Sequence, residues 1–241
     1  MCGRFAQNTT LEALIKQFII PGKVLPFQAQ YNIDPGDGRG REPDRAFVVA
    51  SMGGERRLIP MAWSYAPPWA DSPFSTRSTF NARSDRLTSS PMWRPAFQQK
   101  RCVVPMTGFF EFPGAKGHKT PHYIFMKDRP LFGVAGLWSG WQSKDKTETL
   151  STFTIVTCEA NDFMLPLHPK GRMPVILEAK DEATWLDPKN KDMDALLELA
   201  RPCPSEAMET YPVGDIVKNP LSDGEQCVTE VPPPPETMEL F

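Results

Sequence analysis

Short runs of Val, Ile, Phe and Thr recur along the chain, and Gly, Pro or charged turns separate them. Runs of this length and composition between turn residues are typical of β-strands. Strands are therefore predicted at 46–52, 56–63, 101–106, 109–112, 122–127, 131–137 and 152–158.

A second pattern, with apolar residues three and four positions apart, predicts helices. It is clearest near the N-terminus, where one helical face would carry Leu11, Leu14, Ile15 and Phe18. Thr9 precedes Glu12 by three residues, the spacing of a capping box, so we expect a helix to start there and to run to about residue 19. Further helical segments are predicted at 161–165, 181–186 and 192–200.

The predicted strands outnumber the helices and do not alternate with them regularly. This order favours an α+β fold over a doubly wound one. We expect a single domain over 1–241, built on a mainly antiparallel, barrel-like sheet with flanking helices. Residues 34–45, rich in Gly, Pro, Asp and Arg, predict a mobile loop, and four prolines at 232–235 predict an extended tail over 231–241.

Length and composition limit the class of protein. The 241 residues, 40% of them hydrophobic, suffice for one buried core. The sequence contains no run of about 18 apolar residues, so no membrane span is predicted. The N-terminus lacks the apolar stretch of a signal peptide. The five cysteines include no Cys-x-x-Cys pair, so neither a zinc ribbon nor a thioredoxin-type motif is indicated. We therefore expect a cytoplasmic protein.

The net charge of −2 is unevenly distributed. Residues 178–241 carry 15 acidic and 5 basic side chains, whereas residues 1–177 carry 22 basic and 14 acidic ones. The total disfavours a general polyanion binder, but the basic part of the chain has enough cations for a local phosphate-binding face. The alternative, that these charges only hydrate the surface, fits the sequence equally well.

The three histidines limit the histidine-dependent mechanisms. His118 and His122 have the spacing of two metal ligands on one helical face. Pro121 lies between them and no third ligand is near, so neither a metal nor another cofactor is predicted. His168 lies among Pro and Gly residues in a predicted loop, where it is either an acid or base or an ordinary surface histidine.

Cys2 is the candidate nucleophile, since no Gly-x-Ser-x-Gly motif is present. Removal of Met1 would expose a cysteine with a free α-amine, a 1,2-aminothiol. With a pKa of about 7.7–8.0, part of that amine is neutral at pH 7 and can condense with an aldehyde, after which the thiol can close a thiazolidine ring. The amine can instead act as base for its own thiol, as in N-terminal nucleophile hydrolases. The alternative is that Cys2 has no chemical role and is simply the second residue of the chain.

A series of short motifs, in one order through nearly the whole chain, gives it a family resemblance. The motifs are Met1-Cys2-Gly3-Arg4-Phe5, Tyr31-Asn32 with Pro35-Gly36, Trp63-Ser64 with Pro67 and Trp69, Asn81-Ala82-Arg83-Ser84, Arg101-Cys102-Val103-Val104-Pro105, Gly108-Phe109-Phe110-Glu111, Gly136-Leu137-Trp138, Thr154-Ile155-Val156-Thr157, His168, Arg172-Met173-Pro174-Val175-Ile176-Leu177 and Asn219-Pro220. Each alone is weak, but together they are specific. The chain resembles the SOS-response-associated peptidase family.

The resemblance implies a sensor of abasic sites in single-stranded DNA that links covalently to the ring-opened sugar, a crosslinking, lyase-like activity. By motif, Cys2 would be the linking residue and Asn81 would lie beside it. Glu111 would be the acid or base that opens the sugar, and His168 the second proton-transfer group. Desolvation between Phe110 and Phe112 would raise the pKa of Glu111, although a strand carboxylate facing water is the alternative.

The resemblance also implies how the DNA would be held. Arg4 and Arg83 would contact phosphates that flank the lesion, and Trp69 would stack on an unpaired base. For Arg83 the alternative is a structural ion pair. The implied partner is single-stranded DNA with abasic sites, without metal or membrane, and the protein would be associated with the nucleoid when bound to damaged DNA.

The chain departs from the family pattern at four places. Phe112 stands where the family usually has tryptophan, and Asp85 replaces the common glutamate. The run from His168 to the Arg-Met-Pro motif is longer than usual, and the loop at 36–45 is atypical. Two other functions remain open. One is a thiol peptidase that acts on its own leader or on a crosslinked peptide, and the other is a non-covalent binder of single-stranded DNA.

Overall fold

A computed structural model describes residues 2–74, 79–115, 117–168 and 170–232, so the tail predicted at 231–241 lies almost entirely outside the described residues. The strands β1 to β12 are Phe5–Gln7, Gln30–Ile33, Arg45–Met52, Glu55–Ala62, Asn81–Arg83, Arg101–Met106, Gly108–Glu111, His122–Met126, Phe132–Gln142, Thr149–Glu159, Arg172–Pro174 and Met208–Pro212. The helices α1 to α4 are Leu11–Phe18, Arg94–Gln99, Glu182–Leu186 and Met193–Glu198.

Five of the strands close into a barrel. The order around it is β10, β4, β3, β6 and β9, and β9 pairs again with β10. All of these pairings are antiparallel except the one between β10 and β4. The predicted α+β fold on a mainly antiparallel, barrel-like sheet is confirmed.

Two short strands extend the sheet at the C-terminal end of β10. On one edge β5 follows β4 and pairs in parallel, with Asn81 opposite Ile155. On the other edge β11 follows β9 and pairs in antiparallel orientation, with Pro174 opposite Thr157. Because Thr157 also pairs with Arg83, β5 and the end of β11 flank the same segment of β10.

The second sheet has the order β12, β8, β7, β1 and β2, and its strands are all antiparallel. Gln7 ties this sheet to the barrel. Its side-chain amide donates to the carbonyls of Phe47 and Pro105, both at 2.8 Å, and accepts from the Phe47 amide at 3.0 Å. The N-terminal strand is thereby fixed at the junction of sheet and barrel.

Trp63 packs at the contact between the two sheets. Its ring centroid lies 4.8 Å from that of Phe5 in β1 and 6.3 Å from that of Phe153 in β10. Its indole N–H donates to the Phe80 carbonyl at 2.9 Å, which satisfies the polar atom of a fully buried side chain. The N-terminal strand and the residue just before β5 are therefore held against the same tryptophan.

The seven predicted strands are present, 101–106 with the predicted ends and the others with shifted ends, and the last two predicted helices correspond to α3 and α4. Two predictions were wrong. Thr10, not Thr9, caps α1, because its Oγ1 accepts from the Ala13 amide at 3.2 Å. Residues 161–165 form turns rather than a helix, since the Asn161 side chain bonds the Met164 amide and Pro166 prevents continuation.

The predicted loop at 34–45 contains no helix and no strand before Arg45. Its backbone is organised by Asp37, whose Oδ1 accepts from the amides of Arg39, Gly40 and Arg41. None of the helices in the described part of the chain has the length and apolar character that a bilayer crossing requires.

Candidate functional site

The first residues of the chain continue the pairing of β1 with β7. Phe5 lies opposite Phe109, and the Phe110 amide donates to the Arg4 carbonyl at 2.9 Å. Continued by two positions from the pair of Phe5 and Phe109, this register places Gly3 opposite Glu111. Cys2 is therefore brought to the end of β7, next to the carboxyl group that the motif assigned to catalysis.

Asn81 binds the main chain of Cys2. Its Nδ2 donates to the Cys2 carbonyl oxygen at 2.8 Å, although the two residues lie 79 positions apart. The Asn81 side chain is buried, and its Oδ1 has no hydrogen-bond partner among the described residues. One amide atom therefore orients the N-terminal residue, while the other remains available to a bound molecule.

The thiol of Cys2 is fully buried in the protein with Met1 attached. Its Sγ donates to the Arg4 carbonyl, at 3.7 Å. Burial, and secondarily the negative charge of Glu111, raise the pKa of the Cys2 thiol well above its ordinary range. In this state the sulfur is a neutral thiol and a weak nucleophile.

Glu111 ends β7 as a buried carboxyl group, 7% exposed. Its Oε1 has no hydrogen-bond partner among the described residues. Burial raises the pKa of Glu111 to about 7, and the nearby charge of Lys119 opposes part of that rise. At neutral pH the group exists in both protonation states, which suits it to donate or to accept a proton.

His168 is buried in the turn before β11, despite the longer segment that follows it. The Gly171 amide donates to its carbonyl at 2.8 Å, and Gly171 has the positive φ of 58° that this turn needs. The Arg172 amide donates to His168 Nδ1 at 3.2 Å, so the ring proton of the neutral form lies on Nε2. Burial lowers the pKa of His168 to about 4, which keeps the imidazole neutral at pH 7.

Arg172 contacts His168, and its motif indicated no role for it. Besides its amide bond to His168, its guanidinium donates to the Thr157 carbonyl at 2.5 Å and to the Thr157 hydroxyl at 3.1 Å. Thr157 pairs with Arg83 of β5, so Arg172 connects the His168 turn to the strand that carries Asn81. The signal was present, since Arg172 opens one of the motifs, but a motif does not show which contacts a side chain makes.

The predicted DNA contacts fall into two kinds. Arg83 and Trp69 are exposed, with side-chain exposure of 54% for Arg83 and residue exposure of 62% for Trp69. Arg83 forms a two-bond ion pair with Asp85, at 2.9 and 2.6 Å. Trp69 borders a surface cavity of about 410 Å³ that is also lined by Pro67 and Met92. Their role in DNA binding stays a prediction.

Arg4 is buried, and the fold engages its guanidinium. Nε pairs with Asp34 at 2.8 Å, and one terminal nitrogen donates to the Asn32 side chain at 2.8 Å and to the Val217 carbonyl at 2.6 Å. Arg41 pairs with the same Asp34 carboxylate. These contacts account for Arg4 without DNA, so the predicted phosphate contact is untested and has less support than that of Arg83.

A metal centre has no candidate ligands in the described part of the chain, where no three His, Cys, Asp or Glu side chains are grouped. His118 lies in the loop between β7 and β8, and His122 is the first residue of β8. Their four-residue spacing therefore does not come from a helical face.

The fold and the site define a class of protein, a barrel-based α+β protein in which a buried amide and a buried carboxyl group lie beside a cysteine at the second position of the chain. The family model described as SOS response associated peptidase (SRAP) matches residues 1–220, and the chain belongs to this family. Two Bacillus subtilis relatives are named abasic site processing proteins. YoaM is 34% identical over 95% of this chain and 97% of its own, and YoqW is 32% identical over 95% and 99%.

A solved structure confirms the relationship at the level of the fold. A protein from Bacteroides thetaiotaomicron superposes with a TM-score of 0.83 at 26% identity, covering 95% of this chain and 100% of that one. The resemblance indicated by the motifs is thus confirmed by the family model and by the relatives, and the solved structure shares the fold.

Proposed function

We propose that this chain recognises abasic sites in single-stranded DNA and joins them covalently through Cys2 after Met1 has been removed. The observation that carries the proposal is the grouping of the Cys2 main chain, the Asn81 amide and the buried Glu111 carboxyl at the start of β1. The names of the Bacillus subtilis relatives support the same substrate.

The reaction begins at the sugar. An abasic deoxyribose is mostly a closed hemiacetal, so its ring must open before an amine can attack the aldehyde. Glu111 suits this step because its pKa of about 7 lets it give up and take back a proton at neutral pH. His168 is the second proton-transfer group.

The neutral amine of Cys2 then adds to the aldehyde carbon, and loss of one water gives an imine. Sγ adds to the same carbon while the thiol proton passes to the nitrogen, which closes the thiazolidine ring. This order fits a thiol whose pKa is raised, because the amine attacks first and the sulfur reacts within the same residue. Asn81 fixes the Cys2 carbonyl and thereby the direction of both groups.

A thiol peptidase of the N-terminal nucleophile kind is the second candidate, and the family description favours it by name. Such an enzyme uses a thiolate, and the raised pKa of the Cys2 thiol opposes its formation. We therefore restrict this activity to the chain's own leader or to a crosslinked peptide. Non-covalent binding through Arg83 and Trp69 is the third candidate, and it explains neither the buried Glu111 nor the Asn81 bond.

A labelled single-stranded oligonucleotide with one abasic site separates these candidates on a denaturing gel. Protein that begins at Cys2 is expected to give a heat-stable adduct, and an oligonucleotide without the lesion is the control. The same protein with an uncleavable leader has its amine blocked and is expected to give none. Full crosslinking by the leader-bearing form contradicts the aminothiol mechanism. If the protein that begins at Cys2 forms no adduct, the peptidase becomes the leading candidate function.

A further inference from the structure

The hairpin of β7 and β8 places a histidine directly across from Glu111. In its register Phe109 pairs with Ile124, Phe110 with Tyr123, and Glu111 with His122. Directly opposed residues of an antiparallel pair project to the same face, with Cβ atoms about 4.5–5.5 Å apart. The Phe110 and Tyr123 rings, with centroids 5.1 Å apart, follow this rule on the other face.

The contacts of His122 define its ring. Nδ1 lies 3.1 Å from the Thr120 carbonyl oxygen, and because a carbonyl only accepts hydrogen bonds, Nδ1 carries the proton. In the neutral imidazole, Nε2 is then a free base. His122 is half-buried whereas Glu111 is buried, so the pair reaches from the interior toward solvent.

We propose that His122 exchanges protons between Glu111 and water. It affects the reaction only through Glu111 and does not contact the DNA. This inference rests on the proposed crosslinking function. At neutral pH most of the Cys2 amine is an ammonium group, which must lose a proton before it can attack the aldehyde. Glu111 is too buried to exchange that proton freely with water, and His122 supplies the route.

The proton balance is simple. An N–H bond of the ammonium breaks and an O–H bond forms on the Glu111 carboxylate. That O–H bond then breaks as Nε2 of His122 takes the proton, and the imidazolium returns it to water. Glu111 is a carboxylate again and His122 is neutral, so both are ready for the later steps.

Few charges face this pair. The positive charge of the amino terminus and that of Lys119, in the loop that joins β7 to β8, both act on Glu111. Glu111 in turn acts on the thiol of Cys2. On the far side of β8 the residue opposite His122 is Pro212 of β12, which has no charge. On the far side of β7 the continued register gives Gly3. Among these neighbours only His122 has a ring nitrogen, Nε2, that can accept a proton.

The test uses His122→Asn in protein that begins at Cys2. The asparagine amide can still donate to the Thr120 carbonyl, but it cannot carry a proton. His118→Asn, an exposed position in the same loop, is the matched control. At pH 7 the single-turnover rate of adduct formation is expected to fall by about tenfold or more in His122→Asn. This loss is smaller than the loss expected when a group that touches the substrate is removed. His118→Asn is expected to match wild type.

Two readouts separate this role from a structural one. Added imidazole is expected to speed His122→Asn and to leave wild type unchanged, because a soluble base replaces the missing one. The deficit is expected to shrink above pH of about 8, where the amine is already neutral. Binding of an oligonucleotide with a tetrahydrofuran abasic analogue is expected to be unchanged.

The inference is overturned if His122→Asn forms adduct at the wild-type rate at pH 7. It is equally overturned if the variant is slow at every pH and imidazole does not restore it. Neither result touches the proposed function, which fails only if wild type itself forms no adduct under the same conditions.

Discussion

Asn81 Nδ2 donates to the carbonyl oxygen of Cys2 at 2.8 Å, and this bond joins the short strand β5 to the first residues of the chain. Both groups are buried, so water does not compete for the bond. Because β5 is held by its parallel pairing to β10, the position of Cys2 is determined by the barrel as well as by its own strand. The segment that begins at Cys2 is thereby held from two sides.

The first prediction concerns this bond. Asn81→Asp keeps the shape of the side chain, removes the donor and places a carboxylate against a carbonyl oxygen. The lost interaction is worth about 1–3 kcal/mol, and adduct formation is expected to slow by roughly tenfold to a hundredfold. The measurement is the single-turnover rate on an abasic oligonucleotide.

Asn161 provides the control for Asn81. Its Nδ2 donates to the Cys203 carbonyl at 2.8 Å, a bond of the same kind in a segment without a proposed role in the chemistry. Asn161→Asp is expected to lower stability while adduct formation by the folded protein stays unchanged. If the rate of adduct formation falls by the same factor in both variants, Asn81 affects the reaction only through the stability of the protein.

The motifs indicated the candidate residues of the site, but not how each is held. Asn81 and Glu111 lie in short motifs, and the structure places both beside the Cys2 segment. Arg4 has the same kind of motif evidence, yet its ion pair to Asp34 depends on strands 28 or more residues away, which no local pattern reports. Tertiary contacts of this kind decide whether an arginine faces solvent or the interior.

The second prediction separates the two arginines. Arg83→Ala is expected to weaken single-strand binding and to reduce its salt slope by about 0.7. Arg4→Ala is expected to leave the slope unchanged and to lower the free energy of unfolding by about 3 kcal/mol, because it breaks a buried ion pair. Binding titrations across salt concentrations and urea denaturation measure the two effects.

Asp85 provides a further test of the role of Arg83. It binds Arg83 through both carboxylate oxygens, so Asp85→Asn is expected to release the guanidinium and to tighten binding at low salt. A lower salt slope in Arg4→Ala, with Arg83→Ala unchanged, would reverse the assignment of the two residues.

The fold was predictable where elements are long. The strands from 46 to 63 and from 101 to 106 have enough apolar and β-branched residues for a clear signal. The missed strands β1, β2, β5, β11 and β12 have only three to five residues each. They are defined by pairing with strands that are distant in sequence or too short to give a local signal, and β1 and β5, which lie at the candidate site, belong to this group. Sequence periodicity therefore predicted the barrel better than the strands that position its chemistry.

The third prediction is a pH dependence of stability. Burial raises the pKa of Glu111 to about 7 in the folded protein, from the unperturbed 4.5. Between these values the unfolded chain releases a proton that the folded state keeps, so the free energy of unfolding falls as pH rises from 4.5 to about 7. The loss is about 3 kcal/mol, and Glu111→Gln is expected to remove it. Urea denaturation of both proteins at pH 5 and pH 8 measures the difference.

Glu182 is a useful comparison for Glu111 in the activity assay. It is a second buried carboxyl whose pKa burial raises to about 7, and its nearest ion-pair partner is Arg129 at 3.8 Å. Glu182→Gln is expected to leave adduct formation unchanged, whereas Glu111→Gln slows it. If both variants form adduct equally slowly, the loss of any buried carboxyl group reduces the rate, and the position of Glu111 beside Cys2 is not the cause.

The fourth prediction separates the amine of Cys2 from its thiol. Cys2→Ala, after Met1 removal, keeps the free amine and lacks the sulfur. The amine still forms an imine with the abasic aldehyde, but no ring closes to trap it. An open imine acidifies the adjacent sugar carbon, so β-elimination can cut the strand. We expect loss of the heat-stable adduct, a borohydride-trappable imine and some strand cleavage.

Glu111→Gln acts earlier in the same sequence. Because the sugar must open before the amine or the thiol is used, this substitution is expected to slow both the adduct of wild type and the imine of Cys2→Ala. A peptidase mechanism gives neither DNA product, since its cysteine attacks a peptide carbonyl. The assay is a denaturing gel of labelled abasic oligonucleotide with and without borohydride. A heat-stable adduct from Cys2→Ala without borohydride would show that the thiazolidine ring is not the product.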